Sequence, residues 1–162
     1  MENMSMIGSA QRRNCEATAN FSLSIFDFRA LRKGKSALSK TVLLVDDNPV
    51  QLSTRQTVLS QAGLEVQVAT SADSALALIR SLSDAQKIGV IVTDHIMPEA
   101  TGSDFVRLVR KVNPEVTVIV ISGLAEAEQE YTGMNILFRQ KPCPPTELIK
   151  LVQSAVAKSE QP

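Results

Sequence analysis

Five short strand-like runs, each followed by a segment of helical periodicity, constrain the fold of this chain more than any other feature. Most of the runs are rich in Val, Ile and Leu, which is typical of strands buried on both faces. They occupy residues 41–45, 65–69, 88–93, 116–121 and 135–139. Because parallel neighbours in a sheet are joined by a long crossover, usually a helix, this alternation predicts βαβ units.

The predicted fold class is α/β, a flavodoxin-like (βα)5 doubly wound sandwich. Its five-stranded parallel sheet is expected to have the strand order 2-1-3-4-5, with helices on both faces. The fourth helix, at about residues 125–131, is predicted to be short. The residues expected to begin or cap the other helices are Pro49, Ser71 or Asp73, Ser103 and Thr146.

The composition is that of one globular domain. The 162 residues are enough for a single core, and the hydrophobic fraction of 44% is ordinary for a soluble protein. No apolar run approaches the roughly 18 residues that a membrane span requires, so no membrane interaction is predicted. The two cysteines, Cys15 and Cys143, have no metal-ligand spacing and suggest no disulfide framework, which favours a reducing, cytoplasmic location.

Charge separates the start of the chain from the rest. Residues 1–40 contain seven Lys or Arg against three acidic residues, whereas residues 41–162 contain ten against fourteen. A mildly acidic domain gives no electrostatic reason to bind nucleic acid, so we expect no direct DNA binding.

Three parts are predicted along the chain: a disordered N-terminal extension at 1–39, a folded domain at 40–158 and a short tail at 159–162. The extension is interpreted as disordered or as an overlong start of the reading frame. In the alternative interpretation, the apolar cluster at 21–31 folds on binding a partner or a second copy of this chain.

Three aspartates follow predicted strands that are neighbours in the sheet. Asp46 and Asp47 end the first strand and Asp94 ends the third, at the switch point where ligands bind in such sheets. Two such charges about 4 Å apart repel by about 4 kcal/mol at an effective dielectric constant of about 20, so a cation is expected. Carboxylate oxygens suit Mg²⁺. One of the three could instead only cap a helix.

Ser122 and Lys141 end the fourth and fifth predicted strands and reach the same edge. Each alone is typical of a helix cap or a solvated charge. Together with the aspartates they suggest a nucleophilic carboxylate, a divalent metal and two donors for phosphoryl oxygens.

These residues occur in motifs that resemble those of two-component response regulator receiver domains. The resemblance covers about residues 40–158. The motifs are Val45-Asp46-Asp47-Asn48, Val92-Thr93-Asp94-His95-Ile96-Met97-Pro98 with Gly102, Ile121-Ser122-Gly123 and Lys141-Pro142.

The resemblance implies a role for each motif. Asp94 is expected to be the phosphoacceptor. The expected ligands of Mg²⁺ are the carboxylates of Asp46, Asp47 and Asp94 and the backbone carbonyl of Ile96. Ser122 and Lys141 are expected to contact the phosphoryl group, and the Lys141–Pro142 bond to be cis. Phe138 matches the aromatic residue that moves inward when Ser122 is drawn toward the phosphate.

The predicted function is that of a stand-alone receiver that accepts a phosphoryl group from a histidine kinase or a phosphotransfer protein. It would signal by contact with an unknown downstream protein, and a homodimer is possible. No enzyme activity is expected beyond self-phosphorylation and self-dephosphorylation. Two alternatives stay open: a receiver-like interaction module that does not use phosphate, and an aspartate-based phosphohydrolase. The hydrolase commonly needs an aspartate two residues after the nucleophile, where this chain has Ile96.

Two further expectations concern the surroundings of the site. The stretch from Ser122 to Lys141 is shorter than is usual in the family, which leaves the partner interface open. His95, beside Asp94, is expected to be a loop residue whose side chain points away from the site.

Overall fold

The computed structural model describes residues 40–81, 87–98 and 100–159. The predicted extension at 1–39, its apolar cluster at 21–31 and the last three residues of the predicted tail lie outside the described residues. Within the described part, no helix combines the length and the apolar character needed to cross a bilayer.

Strands and helices alternate along the described residues as the sequence predicts. The strands are β1 Thr41–Val45, β2 Val66–Ala69, β3 Ile88–Asp94, β4 Thr117–Ser122 and β5 Ile136–Gln140. The helices are α1 Pro49–Gln61, α2 Ala72–Ser81, α3 Gly102–Val112, a 3₁₀ helix at Ala125–Tyr131 and α4 Pro145–Ser159. Each strand begins and ends within one residue of its prediction.

All five strands are parallel and lie in the order β2-β1-β3-β4-β5, which confirms the predicted flavodoxin-like fold class. Every residue of β1 and β3 is buried. Alternate residues of β1 pack on opposite faces of the sheet, Leu43 and Val45 in one apolar cluster and Val42 and Leu44 in the other. The central strands are therefore covered on both faces, and the groups that follow them emerge at one edge.

The helix starts correct two details of the prediction. Helix α3 begins at Gly102 and is capped by Thr101, whose hydroxyl accepts the backbone N–H of Asp104, rather than by Ser103. Ser103 lies inside the helix, buried, and donates its hydroxyl to Glu130. Helix α4 begins at Pro145, one residue before Thr146. Proline is favoured at this first position because its missing N–H would have no partner there.

The other predicted starts hold. Asn48 caps α1 by accepting the N–H groups of Val50 and Gln51, and Pro49 is the first helical residue. Ser71, rather than Asp73, accepts the N–H of Ser74 at the start of α2. The short fourth helix has the predicted bounds but is a 3₁₀ helix, the tighter form that occurs in short pieces.

Candidate functional site

Three carboxylates converge where β1 and β3 end. Asp46 and Asp47 follow β1, and Asp94 is the last residue of β3. One carboxylate oxygen from each lies within 4.8 Å of the others. Asp46 and Asp94 are buried, whereas Asp47 is exposed. The register between β1 and β3 pairs Val45 with Thr93, so the two strands end side by side and the aspartates that follow these residues are neighbours.

The Asp94 carboxylate is held by a donor on each oxygen. Lys141 Nζ lies 2.9 Å from Oδ2, and the backbone N–H of His95 donates to Oδ1 over 2.9 Å. Lys141 follows β5, and its backbone N–H donates to the carbonyl of Ser122 over 2.7 Å. The Lys141–Pro142 bond is cis, as expected. The backbone of Lys141 is thus held beside the end of β4, and its ammonium group pairs with Asp94.

Asp46 is the most deeply buried of the three acids. Its Oδ1 accepts the backbone N–H of Asn48 over 2.8 Å, and Arg55 Nη1 lies 2.6 Å from Oδ2. Burial raises the pKa of Asp46 above its ordinary value, because the charged form loses its hydration. The hydrogen bond from Asn48 and the charge of Arg55 lower this pKa, but the net effect is still an increase.

The donor set fits a hard divalent cation. Three carboxylates supply oxygen ligands of the kind that Mg²⁺ prefers, at mutual distances of 4.8 Å or less. Arg55 and Lys141 each pair with one of the buried carboxylates. Two cations against three acids leave a net negative charge, so a cation is favoured there. The remaining predicted ligand, Ile96, lies two residues after Asp94 with an exposed side chain.

The two predicted switch residues lie on β4 and β5, and the hydrogen bond of the Ser122 hydroxyl is with the backbone rather than with Asp94. Ser122 is fully buried at the end of β4, and its hydroxyl accepts the N–H of Leu124 over 3.0 Å. Phe138 is half-buried on β5, opposite Val120, and packs against the apolar cluster on its face of the sheet.

Comparison with known proteins agrees with this geometry. Residues 42–153 match the model of the response regulator receiver domain, well over half of the chain. The chain belongs to this family. Receiver domains are signalling domains of two-component systems and not enzymes, so the signalling role expected of this domain is confirmed.

Curated relatives carry the same domain within longer proteins. The hydrogenase transcriptional regulatory protein HoxA of Cupriavidus necator is 36% identical over 120 residues, which are 72% of this chain and 24% of HoxA. The sensor kinase CckA of Brucella abortus is 34% identical over 88 residues, 54% of this chain and 9% of that kinase. This chain therefore spans about a quarter or less of the length of these relatives.

Solved receiver structures superpose on the same region. The chemotaxis response regulator CheY4 of Vibrio cholerae has a TM-score of 0.64 at 28% identity, covering 72% of this chain and 98% of CheY4. A CheY-like receiver domain protein from Methanospirillum hungatei has a TM-score of 0.68 at 23% identity, covering 75% and 96%. The second comparison supports the fold alone.

Arg55 is a charged residue of this receiver domain that the sequence interpretation missed. It lies on α1 three residues after Leu52 and four before Leu59, and both leucines are buried. Residues at these spacings share one face of a helix. An arginine between two core positions indicates a partly buried ion pair, and this signal was available in the sequence.

A polar network beside Asp94 was also missed. The ring of His95 is buried, and its Nδ1 lies 2.8 Å from the hydroxyl of Tyr131. His95 Nε2 lies 3.6 Å from Glu130, whose other carboxylate oxygen accepts the Ser103 hydroxyl. The network joins the residue after Asp94 to the 3₁₀ helix and to α3. Its members are far apart in sequence, so no local pattern predicts it.

Gly102 is tightly enclosed by the same residues. Its backbone N–H donates to the carbonyl of His95 over 2.7 Å, which turns the loop after Asp94 into α3. A Cβ atom on Gly102 would lie 2.5 Å from the Tyr131 hydroxyl and 2.8 Å from the Asp94 carbonyl.

The hydroxyl of Tyr131 is expected to resist ionisation. Burial raises the pKa of Tyr131 well above its ordinary value, and the nearby charge of Glu130 raises it further. Because the unfolded chain then loses this proton first, the free energy of unfolding should fall as the pH rises above about 10. Tyr131 is the only tyrosine and the chain has no tryptophan, so tyrosinate absorbance reports on this residue alone.

The measurement is an absorbance titration of the folded protein and of the protein in denaturant. The folded protein should show no tyrosinate at the pH where the denatured protein is half ionised, and Tyr131→Phe serves as the blank. Equal midpoints in the two states would contradict the prediction.

Proposed function

We propose that this receiver domain accepts a phosphoryl group on Asp94, with Mg²⁺, from a histidine kinase or a histidine phosphotransfer protein. The observation that carries the proposal is the pairing of Lys141 Nζ with Asp94 Oδ2 at 2.9 Å inside a cluster of three carboxylates. A structural ion pair alone would not need the two further acids beside it, because they repel Asp94.

The residues divide the chemistry among them. An oxygen of the Asp94 carboxylate attacks phosphorus, the bond from phosphorus to the donor breaks, and an acyl phosphate remains on Asp94. Lys141 neutralises charge on the transferred phosphoryl oxygens, while the backbone N–H of His95 keeps the carboxylate oriented. Mg²⁺ would be held by Asp46, Asp47, Asp94 and the carbonyl of Ile96. When bound it supplies further charge neutralisation, which such transfers mainly require.

Signalling follows from a shift between two conformations. The Ser122 hydroxyl is held by the N–H of Leu124 in this structure. A phosphoryl oxygen on Asp94 offers it a stronger, charged acceptor. Movement of Ser122 toward the phosphate opens space for Phe138, which is half-buried here, to move inward. The altered face around β5 and the 3₁₀ helix is then read by a downstream protein or by a second copy of the chain.

The context of the proposal comes from the family. CckA is a sensor kinase and HoxA is a transcriptional regulatory protein, and both share this domain with the chain. We propose a cytoplasmic location and action through protein contact rather than through direct DNA binding by the receiver domain itself.

Incubation with a small acyl phosphate donor tests the proposal. In the presence of Mg²⁺ the intact mass should increase by one phosphoryl group, and an excess of EDTA should abolish the increase, because the metal ion that neutralises charge during the transfer is then removed. Mass spectrometry of the intact chain measures both.

Other outcomes favour the alternative functions. No added mass with Mg²⁺ favours an interaction module that does not use phosphate. Repeated turnover of small phosphoesters favours a phosphohydrolase.

A further inference from the structure

Arg55 reaches the acidic cluster from a helix face that otherwise packs on the core. Its Nη1 lies 2.6 Å from Asp46 Oδ2, and the two side chains are 14% and 1% exposed. A cation this well shielded from water is not an ordinary surface charge. Shielding also strengthens its interaction with Asp46, because exposed pairs are weakened by the solvent.

The guanidinium group is oriented by a second contact. Nη2 of Arg55 donates to Oε1 of Gln51 over 3.1 Å, one helical turn earlier. Arg55 is also the only basic residue of α1. The contact with Asp46 is therefore a defined arrangement rather than one of several equivalent pairings along the helix.

Arg55 uses the same carboxylate that a metal ion would need. Oδ1 of Asp46 already accepts the N–H of Asn48, and Oδ2 accepts Arg55. Asp46 is at the same time one of the three acids whose oxygens lie within 4.8 Å of one another. A divalent ion among these oxygens would be close to the positive guanidinium group, and the two would repel each other.

We propose that Arg55 competes with the divalent cation for Asp46. In the metal-free protein Arg55 neutralises Asp46, and binding of the ion displaces it from Oδ2. Arg55 is thus a positioning residue that sets the Mg²⁺ concentration at which Asp94 becomes reactive. This inference rests on the proposed function, because the need for Mg²⁺ belongs to that proposal.

The first test is a calorimetric titration of the full chain with Mg²⁺. Arg55→Gln should bind Mg²⁺ about tenfold more tightly than the wild type, a typical size for coupling between two sites. The matched control is Arg107→Gln, which removes an arginine on α3 whose side chain and whose partner Asp104 are both more than half exposed. The control should leave the Kd for Mg²⁺ unchanged.

Two additional readouts accompany the titration. In EDTA, Arg55→Gln should melt at a lower temperature than the wild type, because Asp46 loses its counter-ion, and Mg²⁺ should remove this difference in melting temperature. In the wild type, the Nε–H resonance of Arg55 in an NMR spectrum should shift during the Mg²⁺ titration while that of Arg107 stays in place. The second readout needs no variant and therefore holds even if Arg55→Gln does not fold.

The outcomes separate this inference from the proposed function. An Mg²⁺ affinity of Arg55→Gln equal to or weaker than that of the wild type overturns the inference and leaves the proposed function intact. An Arg55 resonance that does not respond to bound Mg²⁺ has the same meaning. Absence of Mg²⁺ binding in the wild type and in Arg55→Gln overturns both.

Discussion

Asp94→Asn should abolish phosphoryl incorporation and leave the chain folded. The amide cannot form the acyl phosphate that the proposed reaction leaves on this side chain, and Asp94 is the carboxylate of the cluster that pairs with Lys141. In the wild type, Lys141 and the N–H of His95 each bind one oxygen of Asp94. Loss of the ion pair with Lys141 is offset by lower repulsion from Asp46, so the free energy of unfolding should change by about 1 kcal/mol or less.

Intact mass after incubation with an acyl phosphate donor and Mg²⁺ measures the effect, and circular dichroism melting shows whether the fold is kept. Asp73→Asn is the matched control, since Asp73 is an exposed aspartate at the start of α2, and it should be phosphorylated like the wild type. Phosphoryl mass on Asp94→Asn at the wild-type rate would move the acceptor to another residue.

Lys141→Met should slow phosphoryl incorporation by about a hundredfold or more. Removal of one preorganised charge or donor aimed at developing charge typically costs this much. Met keeps part of the length of the lysine side chain but cannot neutralise a phosphoryl oxygen. Asp94, whose side chain is 9% exposed, also loses its only cationic partner among the described residues. The variant should therefore melt at a lower temperature, and Mg²⁺ should recover part of the loss.

The initial rate of mass increase at fixed donor and saturating Mg²⁺ gives the rate comparison. Lys150→Met on the exposed surface of α4 is the control for loss of one lysine. A Lys141→Met rate within threefold of the wild type would show that Lys141 serves the structure and not the transfer.

The fold could be predicted because its determinants are local in the sequence. Buried parallel strands need continuous apolar runs and their crossovers need helical periodicity, so each element is encoded by its own residues. At the start of α3 the prediction failed because neighbouring residues could do the same task. Thr101 and Ser103 can both cap a helix, and the choice of Thr101 depends on Ser103 reaching Glu130 across the fold.

The site was predictable to the same extent and for a related reason. The carboxyl ends of parallel strands meet at one edge, so the order of the strands brings Asp46, Asp94 and Lys141 together. Arg55 and Tyr131 come from helices, whose side chains can reach the site from many positions. The position of Arg55 between two core leucines indicates that it is partly buried. Which groups Arg55 and Tyr131 contact, however, depends on how each helix packs on the sheet, and a single sequence does not state that packing.

The enclosure of Gly102 has a consequence for mutational tolerance. Gly102 contributes no side-chain group to the reaction, yet any side chain there would collide with the Tyr131 hydroxyl and the Asp94 backbone. Gly123 lies just as near in sequence to a predicted site residue, Ser122, but a Cβ atom there would meet nothing within 4 Å. In a scan of all substitutions, position 102 should therefore behave like a catalytic residue and position 123 like an ordinary surface position. Sensitivity to substitution at 102 would report a lack of space, not a chemical role.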